Sequence, residues 1–247
     1  MLSFSLYCLK GNIEKKSHHK GVKPIQAVLF DLDDTLYDRI PAIRTYATTY
    51  FFRDFHALLK PMAQEILADV IVEADGGPIR SGKEAMHALQ RMLPWKATPP
   101  DWQQLMKHWF TYFPLCSHWT PEMEDTLRTL KQRGLKLAVV TNGQAGGQNQ
   151  KIDTLGIRPY LDAISISGEV GVKKPEPEIF HHALSILRVA PQDAVFVGDN
   201  PVMDIYGATR TGMQAIWLRR YDRPWYGPLP SPPQRIFALS DVLKILS

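Results

Sequence analysis

The strongest constraint on this chain is a set of short apolar runs that each stop at a polar cluster. Ile25–Phe30 (Ile-Gln-Ala-Val-Leu-Phe) runs into Asp31-Leu32-Asp33-Asp34-Thr35. Leu135–Val140 ends at Thr141-Asn142-Gly143, Asp193–Val197 at Gly198-Asp199-Asn200, and Met213–Leu218 at Arg219. Ala163–Ser167 is a weaker run between them. Short apolar runs with little polar alternation read as strands buried on both faces, as in a parallel sheet covered by helices. Helical patterns alternate with them: Pro121–Arg133, which opens on Thr120-Pro121 and closes before Gly134, then Glu176–Leu187 and Pro201–Thr211. The expected fold class is therefore α/β, a parallel sheet with helices on its faces.

Residues 40–119 break this alternation. They read as helices over Pro41–Leu59, Pro61–Ala74, Lys83–Met92 and Asp101–Tyr112, dense in aromatics and without a strand run. Trp95, Trp102, Trp109 and Trp119 are read as the core of this insert, with one or two of them lining an entrance. Charge separates a further segment. Lys10, Lys15, Lys16, Lys20 and Lys23 against Glu14 account for the whole formal charge of +4, so the rest of the 247 residues is neutral. A basic surface for nucleic acid is therefore not expected. The expected organisation is a flexible extension over 1–24, an α/β body over 25–39 and 120–247, and a helical insert over 40–119.

Cys8 and Cys116 show no metal or redox spacing, and free thiols fit a reducing compartment, so a cytoplasmic protein is expected. No apolar run approaches the ~18–20 residues of a membrane span. Met1–Leu9 lacks a basic region ahead of it and a small-residue cleavage pattern, so a secretory leader is not expected. Tyr221–Arg235, rich in proline and aromatics, reads as a surface loop.

The polar clusters carry the chemistry. Three aspartates in four residues at a buried strand end repel one another unless a cation or a proton compensates. A solvated acidic turn explains them equally well when they are taken alone. If strand geometry persists, Asp31 and Asp33 point to one side, so that one carboxylate attacks while the other manages a proton. Hard oxygen donors of this kind suit Mg²⁺ together with a substrate phosphate. Thr141-Asn142-Gly143 offers a hydroxyl, an amide and backbone N–H groups as a phosphate cradle, though an ordinary turn accounts for it by itself. Lys174, before Pro175-Glu176-Pro177, offers a charge for phosphate or for the nucleophile, or is simply a solvated lysine ahead of a helix. Asp199 or Asn200 caps the helix that starts at Pro201, and Asp199 has the chemistry to cap and ligate at once. The combination is stronger than its parts. These clusters sit at the C-terminal ends of expected parallel strands, where open α/β sheets place their sites.

At these residues the chain resembles the haloacid dehalogenase (HAD) superfamily. D-x-D-x-T/V is matched by Asp31-Leu32-Asp33-Asp34-Thr35, and the strand-end S/T by Thr141. The lysine in a K-P-x-P setting is matched by Lys174, and G-D-x-x-x-x-D by Gly198-Asp199 and Asp204. All four occur in order over roughly residues 25–218. The resemblance implies a Rossmann-like core, a C1-type cap at residues 40–119, and Mg²⁺-dependent hydrolysis of a small phosphorylated metabolite. It implies Asp31 as nucleophile and Asp33 as acid and base. Thr141, the Asn142 region and Lys174 would bind phosphate, and Asp31, the Asp33 carbonyl, Asp199 and Asp204 would hold the metal. Asp33 is the residue that true dehalogenases lack, because a halide leaving group needs no proton. A phosphomutase of the β-phosphoglucomutase type and a non-catalytic binding protein of the same fold are the alternatives. The sequence is silent on oligomeric state.

Overall fold

Every residue of β1 (Ala27–Phe30) is fully buried, because this strand lies inside a six-stranded sheet. The structure, a computed structural model, describes residues 24–77, 80–221, 224–226, 228–230 and 234–246. The expected extension therefore lies outside the described residues except for Pro24, and so does Cys8.

After β1 the chain enters a helical stretch. It comprises α1 (Arg39–Thr45), a π-helical segment Tyr46–Phe51, α2 (Phe52–Phe55), α3 (Gln64–Asp75), α4 (Gly82–Met92) and α5 (Trp102–Tyr112). Ser81 and Glu84 form a reciprocal capping box at the start of α4, and Asp101 caps α5. The chain then alternates: α6 (Pro121–Gln132), β2 (Lys136–Thr141), α7 (Ala145–Thr154), β3 (Ala163–Ile166), α8 (Ser167–Val170), α9 (Pro177–Leu187) and β4 (Ala194–Gly198). A second π-helical segment, Pro201–Tyr206, leads through α10 (Gly207–Arg210) to β5 (Gln214–Leu218), β6 (Arg235–Ile236) and α11 (Val242–Ile245). The expected strands match to within one or two residues. Thr120 caps α6 ahead of Pro121, and Gly134 takes a positive φ of 79° just beyond its end, as the sequence predicts. Tyr221–Arg235 is not loop throughout: Arg235 opens β6, which pairs parallel to β5.

The sheet order is β3-β2-β1-β4-β5-β6, and every pairing is parallel. Alternate side chains enter opposite layers. Val28, Phe30, Leu137, Val139, Val195 and Val197 join one layer, whereas Ala27, Leu29, Ala138, Val140, Ala194 and Phe196 join the other. α9 and α10 close the second layer with Ile179, Phe180, Leu184 and Ala208. The first layer runs on without a break into the helical stretch, through Ile43, Leu67, Ile71, Leu89 and Leu105. β1 therefore has neighbours on both sides and cover on both faces. Its C-terminal end opens at the point where the strand order reverses, between β1 and β4.

Candidate active site

β1 delivers Asp31 to that opening. The Asp31 N–H still donates to the Val197 carbonyl (3.0 Å), so the nucleophile candidate is held by the sheet itself. The chain then turns, with Asp34 at a positive φ of 59°. Thr35 Oγ1 donates to Asp31 Oδ2 (3.2 Å). Arg220 donates to the Asp34 and Thr35 carbonyls (2.8 Å each) and pairs with Asp38 (2.6 Å), fixing this turn to the end of β5.

Asp31 and Asp33 line one cleft of ≈640 Å³ but sit in different charge environments. Lys174 Nζ bridges Asp31 Oδ1 (2.5 Å) and Asp204 Oδ1 (2.7 Å), so one ammonium faces two buried carboxylates. Burial pushes Asp31 up to about 7. Lys174 opposes that shift and Asp204 adds to it. Lys174 titrates above its ordinary value: burial lowers it, but Asp204 and Asp31 outweigh the burial.

The lysine is placed by its backbone. Asn142 Oδ1 accepts from the Lys174 N–H (2.8 Å), and Asn142 Nδ2 donates to the Lys174 carbonyl (3.0 Å). The Asn142 side chain thus positions the lysine with its oxygen and one N–H. One N–H of its amide, together with its backbone N–H, remains for a phosphate oxygen. The Gly143 N–H is committed, to Ser167 Oγ (2.9 Å).

Asn200, not Asp199, caps the segment after β4, accepting from the N–H groups of Val202 and Met203 (3.0 Å each). Asp199 instead brings one carboxylate oxygen within 4.8 Å of oxygens on Asp31 and Asp204. Gly198 makes this approach feasible, since a Cβ there would lie 2.5 Å from Asp204 side-chain atoms. The fit to a hard divalent cation rests on this chemistry. All the donors are carboxylate oxygens, and among the described residues the buried Asp31–Asp204 pair has one ammonium, Lys174, between them.

Asp33 is gripped on Oδ1 by Lys151 Nζ (2.7 Å), Arg39 Nη1 (3.3 Å) and Tyr37 Oη, and on Oδ2 by Gln148 Nε2 (2.9 Å). Burial pushes its carboxyl up, but Lys151 and Arg39, with the hydrogen bonds, hold it well below the usual carboxylate range. Buried Lys151 titrates below an ordinary lysine for the converse reason, although Asp33 pulls it back up. Arg39 is aimed by Asp75 through two hydrogen bonds (2.6 and 3.2 Å).

Thr141, buried at the end of β2, accepts from the same Gln148 Nε2 (2.6 Å). Next to the main cleft lies a pocket of ≈370 Å³. It shares Asp33 and Arg39 with the cleft and has Met86, Met106, Trp109 and Phe113 of the helical stretch in its wall. Of the four tryptophans, Trp109 lines this pocket and stacks on Phe113, with ring centroids 4.1 Å apart.

The structure thus gathers Asp31, Asp33, Thr141, Asn142, Lys174, Asp199 and Asp204 about one cleft. Sequence reasoning missed Tyr37, Arg39, Gln148 and Lys151. Gln148 and Lys151 stand three residues apart after Thr141, a spacing that puts them on one face only once the segment is known to be a helix.

A parallel sheet with acids, a hydroxyl and a lysine at its carboxyl edge defines a class. The chain belongs to the haloacid dehalogenase-like hydrolases, whose family profile matches residues 25–212, and it is a hydrolase. Its relatives include phosphatases. It is 42% identical over 122 residues to the phosphoserine phosphatase of Thermus thermophilus, so the match spans about half of each chain (49%). It is 28% identical over 250 residues to the N-acylneuraminate-9-phosphatase of Mus musculus, covering 91% of this chain and 94% of that one. Among solved structures, a HAD phosphatase from Thermococcus onnurineus superposes with a TM-score of 0.63 at 26% identity, over 90% of this chain and 98% of that one.

Proposed function

We propose that the protein is a Mg²⁺-dependent phosphatase of small phosphomonoesters that works through an aspartyl-phosphate on Asp31. The observation that carries this reading is the pairing of two aspartates two residues apart in opposite roles. Asp31 shares Lys174 with Asp204, beside an oxygen cluster suited to a cation. Asp33 stands in a cationic pocket that favours its carboxylate, the form that takes a proton from water.

Asp31 Oδ attacks phosphorus, and the bond from phosphorus to the ester oxygen breaks. That oxygen takes a proton from the acid form of Asp33. Lys151 and Arg39 favour the carboxylate form, and an arriving phosphate dianion opposes them by like-charge repulsion. In the second half the Asp33 carboxylate takes a proton from water as the water oxygen attacks phosphorus, and Asp31 is released with inorganic phosphate. Lys174 steadies the charge on Asp31 and the phosphoryl oxygens, and the Thr141 hydroxyl donates to one of them. The side chains of Asp31, Asp199 and Asp204 and the Asp33 carbonyl would hold Mg²⁺. When bound, that ion supplies positive charge that lets an anionic nucleophile meet an anionic phosphate.

The helical stretch over residues 40–119 acts as the cap, and its pocket beside Asp33 receives the alcohol half of the substrate. A small phosphorylated metabolite, rather than nucleic acid or a membrane, is the partner. Among the described residues no helix is long and apolar enough to cross a bilayer. The cytoplasm suits buried Cys116, whose thiol burial pushes up to about 12, far from reactive thiolate.

Asp31→Asn tests the reading. Loss of Mg²⁺-dependent p-nitrophenyl phosphate hydrolysis by at least ~10³-fold is expected, and an unchanged rate would overturn it. Isomerised sugar phosphate without free phosphate would point instead to a mutase.

A further inference from the structure

We infer that Gln148 is a positioning residue that sets the hydrogen-bond sense of Thr141 and the aim of Asp33; the inference rests on the roles given to those two residues above. The orientation of its amide follows from chemistry. An ionised carboxylate only accepts, so the group facing Asp33 Oδ2 has to be the NH₂ end, and its two N–H bonds reach Asp33 Oδ2 (2.9 Å) and Thr141 Oγ1 (2.6 Å). Thr141 Oγ1 is therefore an acceptor on its protein side. Among the described residues its own proton makes no hydrogen bond, although the residue is buried and lines the cleft. The hydroxyl proton is left for a ligand oxygen in the cleft.

The same amide sorts the two oxygens of Asp33. Among the described residues Oδ1 already accepts from Lys151, Arg39 and Tyr37, whereas Oδ2 accepts from Gln148 alone. Oδ2 thus keeps the open lone pair for a proton, and Gln148 holds it beside the Thr141 hydroxyl. One neutral side chain couples the phosphate donor to the acid–base group without adding charge.

The seat is built for it. Gln148 is 4% exposed, and a Cβ on Gly143 would come within 2.7 Å of its Cγ.

The test is a cycle of Gln148→Met, Thr141→Val and the double variant in the full chain with Mg²⁺. It reads kcat and KM for p-nitrophenyl phosphate and the inhibition constant of inorganic phosphate. Each single change is expected to raise the phosphate inhibition constant ~5–10-fold, about the worth of one hydrogen bond. The double variant should raise it no further than either single one, because Gln148 acts on phosphate through Thr141. kcat should fall further in Gln148→Met than in Thr141→Val, since the aim of Asp33 is lost as well.

Multiplying effects in the double variant, or a wild-type Gln148→Met, would overturn the inference. If Gln148→Met is unfolded, Gln148→Glu decides. It keeps the shape but sets a carboxylate against Asp33, and a kcat loss of ~100-fold or more is expected at a lowered Tm, measured below the unfolding transition. Near wild-type kcat in Gln148→Glu overturns the inference. An active Asp31→Asn removes the underlying mechanism, whereas a dead Asp31→Asn beside an unaffected Gln148→Met removes this inference alone.

Discussion

Asp31 carries an unusual burden for a carboxylate. It is buried, shares its lysine with Asp204, and is pushed up to about 7 by burial against the pull of Lys174. The consequence for stability has a definite sign. A carboxyl raised above its ordinary 3.8 favours the metal-free fold in full below that value, and this contribution is lost as pH rises through about 7. A divalent cation needs the ionised form. Mg²⁺ is therefore expected to raise Tm more at about pH 8 than at about pH 5.5, each ~1 kcal/mol appearing as roughly 2–4 °C for a chain of this size. Thermal scans with EDTA and with Mg²⁺ at both pH values check this, and a larger gain at the lower pH contradicts it. Asp31, Asp33, Thr141, Lys174, Asp199 and Asp204 were all legible in the sequence, because each ends a buried strand or follows one. Their partners were not. Tyr37 and Arg39 lie beyond the turn at Asp34, where strand alternation no longer predicts direction.

Among the elements, the strands were easy to read and α7 was not. The strands announce themselves by unbroken apolar runs. Ala145–Thr154 (Ala-Gly-Gly-Gln-Asn-Gln-Lys-Ile-Asp-Thr) offers two glycines and a single large apolar residue, so neither propensity nor periodicity marks it as a helix. Its inner face is largely polar: beside Ile152, Gln148 and Lys151 are buried against Asp33. A helix that packs through hydrogen bonds and charge leaves little trace in hydropathy, and the residues missed at the site were lost with it. β6 escaped for another reason. Two residues are too short for a pattern, and its place is set by pairing with β5.

At the end of β4 the contact is steric. Gly198→Ala would drive a Cβ to 2.5 Å from Asp204 and displace the carboxylate that pairs with Lys174. A loss of ~2–4 kcal/mol in urea unfolding, together with a fall in kcat of ~10²-fold or more, is expected. A stable, active variant would show that Asp204 does not depend on this close approach.

At the scale of the whole molecule, the helical stretch and the sheet share one apolar layer, from Val28 and Leu137 through to Leu67 and Leu105. Arg220 also ties the end of β5 to the turn that leads into the helices. Unfolding of the described body is therefore expected as one cooperative transition, with calorimetric and van't Hoff enthalpies in agreement. A separate early transition for the helical stretch would contradict it. The position of β1 in the sheet has a further consequence, for synthesis. Ala27 pairs with Lys136 on one side and with Ala194 on the other. At ~5–20 residues per second, on the order of ten seconds or more passes between translation of β1 and translation of β4. Through that interval the ribosome-bound chain carries an apolar strand that still lacks a neighbour. It is then a natural client for a holding chaperone, and the sheet can close only once β4, β5 and β6 have emerged.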